Sequence, residues 1–223
     1  MIAMKHPIDL SKGLTAFVIL GMMAVYDNWT LGPWVYLALH GTYGVLWVTK
    51  SQLFPDPQWE RPLPLHLAIG VFFALWLYWL APFLLISGGQ VPPPPLVCAC
   101  VAANILGTFL VFGSDAQKYF VLRARRGLIT DGFFSRTRNP NYLGEMLIYG
   151  SFAALSLHWV PWVVCGLYWG LVFVPNMLRK DRSMSRYPEW AWYTARTGML
   201  LPRLVAADTP RPHGPAAAPK ARP

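Results

Sequence analysis

The chain has 223 residues, of which 55% are hydrophobic and only 13% are charged, and its net charge is +9. The charges are unevenly placed: residues 62–114 and 146–178 contain no Asp, Glu, Lys or Arg, and residues 13–49 contain only Asp27. A helix that crosses a bilayer needs about 20 apolar residues. This pattern excludes an ordinary water-soluble globular protein and predicts a polytopic membrane protein.

Helix-breaking segments divide the apolar stretches. Asn28, the Ser87–Pro95 segment and Pro161 interrupt the first, second and third stretch. The sequence therefore predicts an all-α polytopic membrane helix bundle with six helices, at residues 10–26, 31–49, 64–86, 96–114, 141–157 and 161–178. A seventh crossing within residues 118–140 is the alternative, which the density of basic residues there disfavours.

The basic residues predict the orientation. Lys5 lies before the first predicted helix and Lys12 near its start, Lys50 and Arg61 lie between the second and third, and all others follow the fourth or sixth. Because cytosolic loops are enriched in Lys and Arg, both termini are expected in the cytosol, with the protein in a bacterial inner membrane. We expect one membrane-embedded domain at residues 1–207, with substrate-side spans at 1–110, a cofactor-binding half at 111–207 and a disordered basic Pro/Ala tail at 208–223.

A basic segment follows the fourth predicted helix. Asp115, Lys118, Leu122 and Arg125 recur at helical spacing, which predicts that this helix continues into the cytosol and ends near Gly127. Basic residues beside spans also fix topology and contact anionic lipid. Their density here favours a polyanionic ligand.

The segment from Arg138 to Glu145 combines a helix start with a carboxylate. Asn139 is a favourable N-cap and Pro140 suits the first helical position. Asn141 and Glu145 are four residues apart, so both project from one face of the helix. Capping does not explain a carboxylate inside a membrane helix, and ionisable residues there commonly mark functional sites.

A second basic segment follows the sixth predicted helix. Arg179, Arg182 and Arg186 form one stripe of a helix that Pro188 should end. An aromatic cluster of Trp190, Trp192 and Tyr193 comes next. That cluster is interpreted either as an interfacial aromatic belt or as a platform for a flat ligand.

The C-terminal half resembles a known family. The residues that carry the resemblance are Gly132 to Phe134, Asn141 to Glu145, Lys180 to Pro188 and Leu200 to Pro202. They resemble the C-terminal domain of steroid 5α-reductases, with a good match over residues 110–204 and only a pattern of spans before that. The superfamily includes sterol reductases and, more distantly, isoprenylcysteine and phospholipid methyltransferases.

The resemblance implies an NADPH-dependent membrane oxidoreductase that reduces the carbon–carbon double bond of a 3-oxo-4-ene steroid-like lipid. Asn141 and Glu145 would hold the nicotinamide end of NADPH, with Tyr142 beside them. The other implied cofactor-binding residues are Asp115, Lys118, Arg123, Arg138, Arg179, Asp181, Arg182, Arg186 and Tyr193. The expected partners are a lipid-soluble enone and membrane lipid, with no nucleic acid and no metal.

The substrate side is less complete in this chain. The family polarises the substrate's 3-keto oxygen with an acidic residue and a tyrosine from the early spans. Here Gln52 or Ser51 stands in the place of the acidic residue, and an amide can donate a hydrogen bond but cannot act as an acid. Tyr78 is the favoured counterpart of the tyrosine, followed by Tyr43. The resemblance thus implies Gln52, Tyr78 and Glu145 as catalytic residues and leaves the proton donor open.

The aromatic residues of the early spans would form an apolar cavity for a flat lipid. They are Trp47, Phe72, Phe73, Trp76, Tyr78 and Trp79.

Two other functions remain open from the sequence. An S-adenosylmethionine-dependent methyltransferase would share the scaffold, but its sulfonium cofactor carries no phosphate, and the many cations here favour a phosphate-rich cofactor. Asn139 and Asp181 also replace the His and the Glu pair typical of those methyltransferases. A non-catalytic lipid-binding protein would explain the basic surface but not Asn141 and Glu145.

Overall fold

The computed structural model describes residues 1–205, and the predicted disordered tail at 208–223 lies outside them. Most of the described chain is helical. The α-helices are α1 Lys5–Val25, α2 Leu31–Leu53, α3 Leu65–Leu75, α4 Leu80–Ser87, α5 Pro94–Ala124, α6 Pro140–Leu155, α7 Val160–Tyr168, α8 Val174–Met184 and α9 Trp190–Arg196. Two short strands, β1 Ile2–Ala3 and β2 Pro62–Leu63, pair antiparallel.

Two pairs of consecutive helices form continuous rods. A 3₁₀ turn at Trp76–Trp79 joins α3 to α4, and a π turn at Trp169–Phe173 joins α7 to α8. π turns often occur at functional sites because they add one residue to a turn and change the direction of the side chains beyond it.

Four helical segments are long and apolar enough to cross a membrane: Lys5–Val25, Leu65–Ser87, Pro94–Ala124 and Val160–Met184. Large apolar side chains point outward from them, including Phe17, Phe109 and Leu171, which are 71%, 64% and 72% exposed. Exposed apolar surface on this scale is unfavourable in water and suits contact with lipid. The chain is therefore an integral membrane protein.

The two ends of the bundle differ in charge. At one end, β1 pairs with β2, and the Met4 and Lys5 N–H groups donate hydrogen bonds to the Arg61 and Trp59 carbonyls. At the other end, the Asn28 side chain donates to the Ile86 carbonyl at 2.9 Å. The turns at 26–30, 88–93 and 156–159 contain no Lys or Arg. We call the end that carries β1 and β2 the basic end.

Small residues allow close helix packing. A Cβ atom on Gly144 of α6 would lie 2.5 Å from the Gly107 carbonyl of α5, and the reverse distance is also 2.5 Å. Without a hydrophobic driving force in lipid, such close backbone approach is a main source of helix association. This contact fixes α6, and the motif at its start, against the basic extension of α5.

The core lies where α1, α2, α4 and α6 meet. Phe152 of α6 stacks on His40 of α2 with ring centroids 4.1 Å apart, and it packs against Tyr36 at 5.2 Å. Ile19 and Leu85, from α1 and α4, are completely buried beside them. The aromatic core thus orients α6 toward α1 and α2.

Each of the six predicted helical segments is helical in the structure. Two boundaries differ in an informative way: α1 begins at Lys5 rather than near residue 10, and α2 ends at Leu53 rather than at 49. Lys12 therefore lies about two turns inside α1 and Lys50 lies inside α2, where both are buried, and neither flanks a helix. The predicted continuation of the fourth helix is confirmed, since α5 runs without a break to Ala124.

Candidate active site

A cavity of about 260 Å³ opens between α1, α2, α3, α6 and the π turn, toward the basic end of the bundle. We call it the main cavity. Its polar wall is formed by Lys12, Lys50, Asp56, Gln58, Asp115, Asn141, Glu145 and Asn176. Its apolar and aromatic wall is formed by Met4, Ile8, Trp47, Trp59, Val71, Ala74, Leu75, Tyr78, Tyr142, Tyr149, Tyr168, Val172 and Phe173. A mostly apolar pocket with a few convergent polar groups is the usual form of a small-molecule site.

Asn141 and Glu145 lie side by side on the wall of this cavity, as their spacing predicts. The Oδ1 atom of Asn141 is buried and has no hydrogen-bond partner within residues 1–205. An unpaired buried acceptor costs about 1–3 kcal/mol, so this atom is suited to a donor supplied from the cavity. Glu145 faces the charges of Lys12, Lys50 and Asp115.

Tyr142 occupies the neighbouring position. Its ring packs against Phe173 of the π turn at 4.9 Å, and both residues line the main cavity. The π turn thereby contributes a flat aromatic surface beside Asn141.

Lys12 is one of two buried cations on the wall of the main cavity. Its side chain is buried, and its Nζ donates a hydrogen bond to the Tyr149 hydroxyl. The Nζ atom lies 4.6, 4.9 and 4.8 Å from the ring centroids of Tyr43, Trp47 and Tyr149. Such aromatic contacts stabilise a cation that has left water.

Two ion pairs connect the early helices to α5. Lys50 of α2 pairs with Asp115, and Lys118 pairs with Asp56 at 2.6 Å. Burial would by itself raise the pKa of Asp56, but the charge and hydrogen bond of Lys118 hold that pKa below its usual range. Asp115 and Lys118, both predicted to bind cofactor, are thus already engaged within the protein.

A second cavity of about 180 Å³ lies beside the first, at the basic end. We call it the basic cavity. Four cations line it: Lys118, Arg138, Lys180 and Arg186. Lys118 lines this cavity while its partner Asp56 lines the main cavity, so the Lys118–Asp56 ion pair stands between the two.

Tyr193 forms part of the wall of the basic cavity. Its hydroxyl donates a hydrogen bond to the Phe134 carbonyl at 2.9 Å, and burial raises the pKa of the phenol. The hydroxyl therefore remains neutral and fixes α9 to the turn before α6. The basic cavity is thus built by segments that are far apart in the sequence.

The start of α6 is held in a way that differs from the prediction for Asn139. Helix α6 begins at Pro140, but the Asn139 side chain makes no capping hydrogen bond. Its amide instead donates to the Met199 carbonyl at 2.8 Å, and its oxygen accepts a hydrogen bond from Lys180 at 3.1 Å. Asn139 therefore ties the helix start to the C-terminal segment, because its side-chain oxygen, which would cap the helix, is already occupied by the charged donor Lys180.

Arg138 and Asp181 form a third ion pair. The guanidinium Nε and Nη2 atoms donate to the carboxylate at 3.0 to 3.2 Å, and Nη1 donates to the Thr197 carbonyl at 2.8 Å. Both residues were predicted to bind cofactor. Their side chains serve first to join the segment before α6 to α8.

Several other predicted residues lie away from both cavities. Gln52 is exposed and does not line the main cavity, because it lies two residues, about 200° of helix rotation, beyond the cavity-facing Lys50. The structure thus does not place Gln52 with Tyr78 and Glu145. Its neighbour Ser51 donates a hydrogen bond to Asp9 at 2.7 Å.

Among the predicted cations, Arg123, Arg179 and Arg182 are exposed at the basic end and line neither cavity. Arg123 donates to the Tyr119 hydroxyl, and Arg179 donates to Asn176 at 3.1 Å. Only Arg186 of the predicted stripe reaches the basic cavity.

The predicted aromatic cavity of the early spans is formed only in part. Trp47 and Tyr78 line the main cavity. Phe73 and Trp76 point outward from the bundle, and the Trp79 indole donates to Thr15 at 3.1 Å in the core. Aromatic residues at helical spacing in a membrane span face lipid as well as ligand, so composition did not separate them.

Sequence reasoning missed Lys12, Lys50, Asp56 and Tyr149. The two lysines were interpreted as topology signals because the helix ends were placed too close to the apolar stretch. The spacing in the sequence could have predicted Tyr149, which lies four residues after Glu145 and eight after Asn141 and therefore on the same helix face.

The fold and site define an integral membrane protein with a charged, aromatic-walled cavity near one end of its bundle. A family model matches residues 57–197, and the chain belongs to that family, which is described as a protein of unknown function (DUF1295). Lys12 and Lys50 lie before the matched region.

The chain is similar to an uncharacterised protein of Schizosaccharomyces pombe, with 33% identity over 94 residues. The match covers 39% of this chain and 27% of the yeast protein, so the chain spans about a quarter of that relative's length. No solved structure gives a significant match.

Proposed function

We propose that the protein is an NADPH-dependent membrane oxidoreductase that reduces the carbon–carbon double bond of a 3-oxo-4-ene steroid-like lipid. The observation that carries this proposal is the buried, unpartnered Oδ1 of Asn141 beside Glu145 in the main cavity. A nicotinamide carboxamide offers an N–H group that would satisfy this oxygen. Both residues occupy the positions that hold the nicotinamide in the resembled family.

The cations of the basic cavity support the choice of a phosphate-rich cofactor. Lys118, Arg138, Lys180 and Arg186 converge on one space beside the main cavity. Arg and Lys side chains bind phosphate oxygens by charge-assisted hydrogen bonds. Asn141, Tyr142 and Glu145 would hold the nicotinamide, and these four cations would hold the phosphates. When bound, the reduced cofactor would supply a hydride to the substrate.

The apolar wall supports a lipid substrate. Val71, Ala74 and Leu75 of α3 face Val172 and Phe173 of the π turn across the main cavity. A flat, mostly apolar ligand would give up few hydrogen bonds to water on entering between these walls. The polar groups at Lys12 and Glu145 would orient its carbonyl end.

The alternative cofactor, S-adenosylmethionine, is less well matched to the site. Its sulfonium would enter a cavity whose wall carries Lys12 and Lys50. Like charges at short range are strongly unfavourable in an apolar environment. Glu145 and the aromatic rings would favour a sulfonium, so the experiment below compares both cofactors.

We also infer that all six helical rods cross the membrane, with both ends of the described chain in the cytosol. An even number of crossings places Lys5 at the start of α1, Arg61 between α2 and α3, and the basic segments after α5 and after α8 on one side of the membrane. The proposed cofactor then enters from the cytosol, where NADPH is made available.

The test uses purified protein in detergent. Titration with NADPH should raise the midpoint of thermal unfolding more than equal concentrations of NADH, which lacks the 2′-phosphate, or of S-adenosylmethionine. Membranes incubated with NADPH and a panel of 3-oxo-4-ene steroids should yield the saturated ketone by mass spectrometry. Stabilisation by S-adenosylmethionine alone, without NADPH-dependent product, would refute the reductase proposal.

A further inference from the structure

Lys12 and Tyr149 form a hydrogen-bonded pair on the wall of the main cavity. Tyr149 lies one turn beyond Glu145 on the same face of α6, and both line the main cavity. The Lys12 Nζ donates to the Tyr149 hydroxyl oxygen, so the Tyr149 proton is directed to a second acceptor, for which the neighbouring Tyr43 hydroxyl and a bound carbonyl oxygen would compete.

The surroundings fix the Tyr149 ring. Tyr78 stacks on it with ring centroids 4.0 Å apart, and Tyr168 stacks on Tyr78 at 4.6 Å. The Tyr168 hydroxyl donates to the Ala74 carbonyl at 2.6 Å, so its proton is already committed. Of these three phenols, Tyr149 is the one held by a cation.

Lys12 is costly to place at this depth without a role. Its Nζ is surrounded by the rings of Tyr43, Trp47 and Tyr149, each within 5 Å. The cost of an intramembrane cation is several kcal/mol, and such residues usually mark a site of proton or ligand handling. Topology does not require it, because Lys5 already marks the basic end of the same helix.

We propose that Tyr149 is the proton donor to the carbonyl oxygen of the enone and that Lys12 is the positioning residue that supports it. This inference rests on the proposed reductase function. It identifies the group that polarises the substrate, a role for which the sequence offered Gln52 or Ser51 and, among the tyrosines, Tyr78 followed by Tyr43.

The bound nicotinamide cofactor would supply one hydride, with its two electrons, to the β-carbon of the enone. The electrons of the carbon–carbon π bond then form a new π bond between the α-carbon and the carbonyl carbon. The electrons of the carbonyl π bond move to the oxygen. That oxygen takes the proton of the Tyr149 hydroxyl to give an enol, and the Tyr149 oxygen regains a proton from the Lys12 ammonium.

Lys12 recovers its proton from water that enters the open cavity. The enol then becomes the saturated ketone by losing its oxygen-bound proton while the α-carbon gains one. The net change is the addition of one hydride and one proton to the substrate. A hydrogen-bond donor placed where the enolate charge develops lowers the barrier.

The experiment measures hydrogen bonding to the carbonyl without cofactor. A conjugated trienone steroid absorbs to the red of the protein's aromatic band, and its absorption moves further to the red when its oxygen accepts a hydrogen bond. Binding to the wild-type protein should produce this shift. Tyr149→Phe should still bind the trienone, as measured by quenching of tryptophan fluorescence, but should lose the red shift.

Turnover with NADPH gives the second readout. Tyr149→Phe should lower kcat about 100-fold or more, the usual contribution of a general acid, with KM changed less than about threefold. Lys12→Met should reduce both the red shift and kcat while leaving the thermal stabilisation by NADPH in place. Tyr36→Phe is the matched control, because Tyr36 lies in the core outside the main cavity and its hydroxyl has no hydrogen-bond partner within residues 1–205.

The outcomes separate this inference from the proposed function. A Tyr149→Phe protein that retains both the red shift and turnover would overturn the inference and leave the reductase proposal intact. A red shift lost in Tyr78→Phe but kept in Tyr149→Phe would overturn it too. A Tyr149-dependent red shift in a wild-type protein that reduces no enone would support the hydrogen bond and refute the reductase.

Discussion

The Lys118 Nζ lies 2.6 Å from the Asp56 carboxylate and joins the long helix α5 to the segment between α2 and α3. The Lys118 side chain is 36% exposed and that of Asp56 is 16% exposed. The pair thus stands between the main cavity and the basic cavity. It holds Asp56, a residue of the main cavity's rim, in place.

We expect the contribution of this pair to depend on pH. Because the pKa of Asp56 is held below its usual value in the folded protein, its charged form stabilises the fold above the unfolded pKa of about 3.9. This contribution is lost as pH falls through the lower, folded pKa. Asp56→Asn should lower stability by about 1 kcal/mol at neutral pH.

Thermal unfolding in detergent measures this effect. The difference between wild type and Asp56→Asn should be constant above about pH 5 and shrink below about pH 4. A difference that grows on acidification would contradict the assignment of the ion pair.

The ion pair between Arg138 and Asp181 should contribute more to folding stability than the pair between Lys118 and Asp56. Asp181→Asn leaves the half-buried guanidinium with only the Thr197 contacts, so we expect a loss of about 2–3 kcal/mol. Thermal unfolding checks the change, and Asp131→Asn at an exposed position is the control. A double-mutant cycle with Arg138→Met should show that the two losses are not additive. Additive losses would mean that the two side chains act independently.

The close contact of α5 and α6 gives a prediction about packing. Gly144→Ala would place its Cβ 2.5 Å from the Gly107 carbonyl and 2.8 Å from Val111. We expect the helices to separate, with a loss of about 1–3 kcal/mol and weaker stabilisation by NADPH. Gly166→Ala is the matched control, since a Cβ there meets nothing within 4 Å. Equal stability of the two variants would show that the backbones are not in contact.

The carboxylate of Glu145 gives a prediction about activity. Glu145→Gln keeps the shape of the side chain but removes the charge that faces Lys12 and Lys50. We expect enone reduction to fall at least about 100-fold while the protein still inserts in the membrane and keeps its helical content. Turnover is measured by mass spectrometry of the saturated product.

Glu60→Gln is the control for Glu145→Gln. Its carboxylate pairs with Lys5 at 2.8 Å, at the same end of the bundle but outside the wall of the main cavity. Unchanged turnover in Glu145→Gln would assign Glu145 a structural role.

The sequence predicted the helical segments and the placement of Asn141 and Glu145, because both depend on local periodicity. The absence of charged residues from positions 62–114 and the four-residue spacing of Asn141 and Glu145 can be read without knowledge of tertiary contacts. Helix α6 then carries both side chains to the same wall of the main cavity.

Lys12 and Lys50 could not be placed in this way. A lysine near a span predicts a basic end equally well whether it lies outside or inside the helix, and only the packing of α1 against α2 directs these two inward. The ion pairs also escaped prediction. Asp56 and Lys118 are 62 residues apart, and nothing in the local pattern of either indicates its partner.

The π turn at Trp169–Phe173 determines which side chains of the last rod face inward. Each residue added to or removed from a helix rotates everything beyond it by about 100° relative to the part before it. Deletion of Gly170, whose Cβ position is open, would let α7 continue into α8 as one regular helix. Asn176 would then turn away from the main cavity and Lys180 from the basic cavity. The extra residue of this turn thus sets the register between the half of the rod that is anchored in lipid and the half that carries the charges.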